Sequence, residues 1–247
     1  MNIRKKEDLL FDQWKTRYPN DFVIDGAPYP EIFEQSLARC LIILKDANID
    51  PDDPRADFPL RAQLAETPHD WWRTIANWCE GISRIHGNEA ESPSWSELQK
   101  VPLADCLKPF AFMQLKKTTG RGSIRTGTLN QHATNDRTEI RKQINIYQPK
   151  MIVCCGVGNL VAGVLEDNPK NLEWKETRRG VRYVKLQLSG QQTFLIDYMH
   201  PSARAAKNVV CFALLDAYRE ISALRRVPLI DGLWSPAASM PSLMSSR

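Results

Sequence analysis

The apolar runs along this 247-residue chain predict an α/β protein, a three-layer α/β/α sandwich with a central, mostly parallel sheet. Three observations carry that expectation. Residues 40–44, 110–114 and 151–155 are short, nearly continuous apolar runs, as strands buried on both faces are. The stretches between them place apolar residues at helical spacing. Strand and helix then alternate, which favours parallel neighbours joined by crossover helices.

Taken in order, residues 5–17 read as an amphipathic helix with Leu9, Leu10, Phe11 and Trp14 on its apolar side. Gly26, Pro28 and Pro30 punctuate the chain, and a second helix over 30–39 leads into the strand 40–44. Residues 45–59 are polar and proline-rich and read as a loop with room for function. A helix is expected over 69–86, from the spacing of Trp72, Ile75, Trp78, Cys79, Ile82 and Ile85. Residues 87–104 read as irregular, with a short helix starting at Ser94. The strand 110–114 passes into a basic loop, 116–135, and then into a helix, 136–148, that Pro149 ends. Gly156 closes the strand 151–155, and a short helix covers 157–166. Residues 181–188 alternate as a half-exposed strand, Ser189-Gly190 makes a tight turn, and 192–198 form the returning strand. A long helix, 203–225, carries Val210, Leu214, Ala217, Ile221 and Leu224 on its apolar side. One domain is expected over 1–227, followed by a loosely ordered tail over 228–247.

Hydrophobic residues make up 43% of the chain, enough for a substantial core. No run of about 18 apolar residues suggests a membrane span. The charged start, Met1 to Leu10, lacks the apolar centre of a signal peptide, so the cytoplasm is the expected compartment. The six cysteines form no CxxC pair, which argues against a disulfide framework and against zinc or iron–sulfur ligation. No metal, nucleotide or other cofactor is expected, and a monomer is the default. The net charge of +4 is mild, but Lys116, Lys117, Arg121, Arg125, Arg137, Arg141 and Lys142 face only Asp136 and Glu139 within 116–142. That segment reads either as a solvated face or as an anion-binding one.

Ligands of open α/β sheets bind beyond the carboxyl ends of the strands. Three such ends carry unusual polar residues: Lys45-Asp46-Ala47-Asn48, Gln114-Leu115-Lys116-Lys117 and Met199-His200-Pro201-Ser202. Asp46 and Asn48 also suit a plain turn, and Ser202 suits the N-cap of the following helix. A helix start of that kind also offers free N–H groups to a phosphate.

These pieces, in this order, resemble the uracil-DNA glycosylase superfamily over roughly residues 30–225. Residues 42–48 (ILKDAN after the first Ile) are similar to its first motif, Gln114 to its base-reading position, residues 143–156 to its central helix and strand, and 198–202 (YMHPS) to its C-terminal His-Pro-Ser motif. The chain departs from the family where Lys45 and Asn48 stand in place of the usual Gly and Pro, and where Gln114 replaces the commoner Asn.

The resemblance implies an enzyme that flips a base out of DNA and hydrolyses its glycosidic bond. Asp46 would stabilise the oxocarbenium-like sugar, Asn48 would help position water, and His200 would donate to the departing base. Gln114 would read the base edge, with Phe58 as the stacking ring and Trp71 or Trp72 as alternatives. Lys116, Lys117 and Ser202 would join the substrate site, and Arg121, Arg125, Arg204 and Lys207 would hold DNA phosphates, single- or double-stranded. The altered positions leave the base open: uracil, or a bulkier modified pyrimidine of phage DNA in a defence role. Two other classes stay open, a DNA-binding module without catalysis and a small-molecule α/β enzyme; the absence of a GxSxG elbow counts against the latter.

Overall fold

The apolar runs become the centre of the sheet. The computed structural model describes residues 1–19, 21–47, 57–87, 92–120 and 126–226. Helix α1 (Ile3–Lys15) is capped by Asn2, whose side chain accepts the Lys5 N–H. β1 (Phe22–Val23), α2 (Pro30–Gln35) and β2 (Cys40–Leu44) follow. β3 (Asp57–Phe58) and α3 (Leu60–Glu66) precede a 3-10 turn at 70–72 and α4 (Arg73–His86). α5 (Trp95–Lys100) starts at a capping box in which Ser94 and Glu97 satisfy each other's backbone N–H groups. Next come α6 (Leu103–Leu107), β4 (Ala111–Gln114), α7 (Thr126–Asn135), α8 (Arg137–Tyr147), β5 (Met151–Cys155) and α9 (Gly158–Leu165). β6 (Lys175–Glu176), β7 (Arg182–Leu188), β8 (Gln191–Tyr198) and α10 (Lys207–Arg226) complete the described chain.

Among the described residues the main sheet has six strands in the order β4-β2-β5-β8-β7-β6. β4, β2, β5 and β8 are mutually parallel, while β7 and β6 extend the far edge antiparallel. Alternate side chains of the central strands point to opposite faces. Cys40, Ile42, Leu44, Phe110, Phe112, Val153 and Cys155 join the core that buries α4 and α10. Leu41, Ile43, Ala111, Met113, Ile152 and Cys154 join the core under α1, α8 and α9. Each such Val, Leu, Ile, Phe or Met contributes roughly 1.5–3 kcal/mol relative to exposure, so a strand buried on both faces has one workable place, the middle of the sheet. All six cysteines are buried free thiols, as small hydrophobes are. No described helix is long and apolar enough to cross a membrane.

The three-layer sandwich is as expected; several boundaries are not. Residues 126–135 form α7 rather than loop, because burial of Leu129 and Ala133 overrides a sequence of Thr, Gly and Asn with weak helical preference. β1, β3 and β6 are two residues each, too short for any periodicity to reveal. α10 begins at Lys207, not at 203. The expected tail, Asn48, Arg121 and Arg125 lie outside the described residues.

Candidate active site at the carboxyl edge of the sheet

Parallel pairing puts the carboxyl ends of β4, β2, β5 and β8 on one edge. Asp46 follows β2 by two residues and His200 follows β8 by two residues. One strand, β5, separates them, so their backbones are about 10 Å apart at ordinary strand spacing, room for one ring-sized group. Gly156 ends β5 between them with φ +73°, a conformation that suits glycine. The Lys45 side chain crosses this glycine. A Cβ on Gly156 would lie 3.2 Å from Lys45 Cε and 4.0 Å from His200 Cβ. Asp46 turns the other way. Its carboxylate lies against Gly120, where an added Cβ would meet Oδ2 at 2.0 Å. The 115–120 segment is zipped to 44–47 by Leu115 N–H to Leu44 O, Lys116 N–H to Lys45 O and Gly120 N–H to Ala47 O (2.9, 2.9 and 2.8 Å).

The imidazole of His200 is held by its own loop. Ser202 Oγ lies 2.6 Å from Nδ1, and the Ser202 N–H also donates to Nδ1 at 3.3 Å. Nδ1 is therefore an acceptor, which leaves the proton of the neutral ring on Nε2. Burial lowers the His200 pKa, and the charges of Lys45 and Lys207 lower it further, so the ring is held neutral. Burial raises the Asp46 pKa, opposed by the charges of Lys116 and Lys45. The site thus holds a neutral N–H donor and a carboxyl group whose ionisation is opposed by burial and favoured by two lysines.

Aromatic rings connect His200 to β4. The Trp71 ring lies 6.2 Å from that of His200 and edge-on to Trp72 at 5.2 Å; Trp72 is edge-on to Phe112 at 5.3 Å. Gln114, two residues beyond Phe112 on the same face, is 3% exposed, and its Oε1 has no hydrogen-bond partner among the described residues. A buried amide oxygen left empty costs about 1–3 kcal/mol, which a ligand N–H would recover.

The residues expected to carry the site fare differently. Asp46, Gln114 and His200 share one edge. Phe58, the expected stacking ring, is half-buried in β3 against the Phe112-side core; the ring beside His200 is Trp71, 42% exposed, while Trp72 is core. Lys117 is no substrate ligand. It is fully buried on the opposite face, ion-paired to Asp25, with Nζ 5.1 Å from the Trp14 ring centre and 5.4 Å from that of Phe11. Lys116 is nearly buried, and Nζ bonds Thr118 O (3.0 Å) and Thr119 O. Lys207 bonds Pro201 O and Ala203 O (2.7 and 3.0 Å), so it ties the 201–203 turn rather than reaching for phosphate. Ser202 caps no helix, since α10 starts five residues later; it serves His200 instead. Arg204 is exposed. Arg137 and Arg141 hold carbonyls at the end of α9, so these two residues of the basic segment are engaged within the protein.

Asp25 was not foreseen. Segment 23–26 covers the outer edge of β4, with Gly26 and Phe112 exchanging N–H···O bonds of 2.9 and 3.1 Å. Asp25 Oδ2 accepts the Gln114 N–H at 2.6 Å and the Lys117 ammonium, and Oδ1 accepts from Gln143 Nε2 at 2.7 Å. One carboxylate thus fixes the end of β4 and the loop beyond it. An acid in an Asp-Gly turn before a proline carries no pattern that could have announced this role. No family model matches the chain, and a comparison with curated proteins finds no match.

Proposed function

We propose that the protein is a DNA glycosylase that flips out uracil or a modified pyrimidine and hydrolyses its N-glycosidic bond. The observation that carries the reading is that a carboxylate after β2 and a neutral imidazole N–H donor after β8 stand on one edge of the sheet, one strand apart. Cleavage needs both: an anion for the cationic sugar and a donor for the base that leaves as an anion. Asp46 takes the first role and can orient the attacking water. His200 Nε2 takes the second; a neutral donor need not carry its own charge into a water-poor site. Gln114 Oε1 accepts an N–H from the base edge, and Trp71 supplies a ring at the site's rim.

The test is release of base from oligonucleotides, single- and double-stranded, that carry uracil or modified cytosines. Abasic product that Asp46→Asn and His200→Ala both suppress is expected, with His200→Ala costing roughly a hundredfold or more in rate. Salt-sensitive DNA binding with no abasic product on any substrate would replace this reading with that of a binding module. The inward turn of Lys116, Lys117 and Lys207 favours a second reading, the same hydrolysis on a free nucleoside. Release of base from free deoxyuridine, insensitive to salt, would decide for it.

A further inference from the structure

Lys45 has no part in the reaction above, yet it stands in the middle of the site. Among the described residues its ammonium has no hydrogen-bond or ion-pair partner. The neighbouring lysines are all engaged: Lys116 with the carbonyls of Thr118 and Thr119, Lys117 with Asp25, Lys207 with the carbonyls of Pro201 and Ala203. Lys45 is half-buried and lies over Gly156, whose missing side chain leaves the space it crosses. Its charge acts on both Asp46 and His200.

We propose that Lys45 gives the site a second activity, cleavage of the DNA strand at the abasic product through an imine. The proposal rests on the glycosylase reading for its placement. There Asp46 faces the sugar and His200 the base, so the group between them faces C1′, the carbon that joins the two. Once the base has left, the opened form of that sugar carries an aldehyde at C1′. The Lys45 amine adds to it and water leaves, giving a protonated imine. Asp46 takes a proton from C2′, the C3′–O bond breaks, and the 3′ phosphate departs with the bonding pair as the 5′ end of the downstream strand. Water then hydrolyses the conjugated imine, releasing an unsaturated aldehyde and restoring the amine. No oxidant or reductant enters. A lysine pinned in an ion pair could not reach the aldehyde; this one is held beside the reacting carbon and unpinned, as proximity catalysis needs.

The experiment uses an oligonucleotide with a preformed abasic site, so it does not depend on base release by this protein. Sodium borohydride should trap a covalent protein–DNA adduct with the full-length wild type, and peptide mapping should place it on Lys45. K45R and Lys45→Ala should both lose the adduct and the strand cleavage while still binding the abasic oligonucleotide. No adduct with wild type, or an adduct mapped to Lys116 or to the N-terminus, overturns the proposal. Strand cleavage by K45R equal to wild type overturns it as well. Base release from uracil-containing DNA, measured separately, fails only if the glycosylase reading itself fails.

Discussion

Two clusters of charged side chains lie on either side of the loop that follows β4 and are left in different states. The inner one is densely bonded, with the buried Gln143 Oε1 left without a partner among the described residues. Asp25 accepts three donors, Gln143 passes a bond to the Tyr147 hydroxyl at 3.1 Å, and Tyr147 donates to Glu7 at 2.8 Å. Glu7 also takes Arg61 at 2.9 Å and the Ala27 N–H at 3.0 Å. In the outer cluster, Lys45, Asp46 and His200, the side-chain bonds among the described residues are the two from Ser202 to His200. Buried charge is tolerated only when it is paired, so the inner cluster can serve only as framework. Half-exposed charge without partners is cheap to keep and free to meet a ligand. Their shared neighbour is Gln114, whose backbone belongs to the first cluster and whose side-chain oxygen opens towards no partner.

The largest expected effect lies in the inner cluster. Lys117→Met leaves Asp25 charged, buried and without its cation, which should cost about 3–5 kcal/mol in denaturant unfolding. Adding Asp25→Asn should recover part of that loss, because no unpaired charge then remains buried. A single variant as stable as wild type would mean that the pair is not the framework element described above.

Much of this division escapes a reading of the sequence. The β2 and β5 runs were legible to the residue, because burial on both faces demands unbroken apolar character. So were the Ser189-Gly190 turn, both residues of which have positive φ, and the cap at Ser94. Asp46, Gln114 and His200 were legible as a set because strand polarity alone places them on one edge. The fate of the lysines was not. Lys116 and Lys117 are neighbours in a basic segment, and only tertiary contacts decide that one bonds loop carbonyls while the other pairs with Asp25, 92 residues away. Helical spacing already put Trp72 with the core while Trp71 stayed open, and their 3-10 turn sends Trp71 to the rim and Trp72 to the core.

A smaller effect should follow from Gly120→Ala. The new Cβ would overlap Asp46 Oδ2, and the carboxylate, the mobile end of a side chain, would yield rather than the backbone. Stability should change little while turnover drops by a clear fraction of what Asp46→Asn costs. Unchanged turnover would show that the carboxylate need not lie against the 115–120 loop.

The pH profile separates the clusters further. The proposed chemistry needs Asp46 ionised and His200 neutral, so both groups fail on the acid side. Lys45 lowers both pKa values. Removing it, as Lys45→Met, lets both rise, and the acid limb of base release should move to higher pH, with the alkaline limb unaffected by either group. A limb that stays in place would show that neither titration controls the rate.

The smallest effect tests the basic segment. Arg141 donates to Val164 O at 2.6 Å and to Leu165 O at 3.3 Å, which are orphan carbonyls at the end of α9. Its charge also suits the negative end of that helix. Arg141→Ala should therefore cost about 0.5–1 kcal/mol of stability. It should leave the salt slope of DNA binding where it was, because a guanidinium spent on carbonyls releases no counterion from phosphate. A slope that falls by about one unit would put Arg141 on the DNA and reopen 116–142 as a phosphate-binding surface. A stability loss with an unchanged slope would assign it to the framework, leaving the exposed Arg204, four residues after His200, as a described cation to test for phosphate contact.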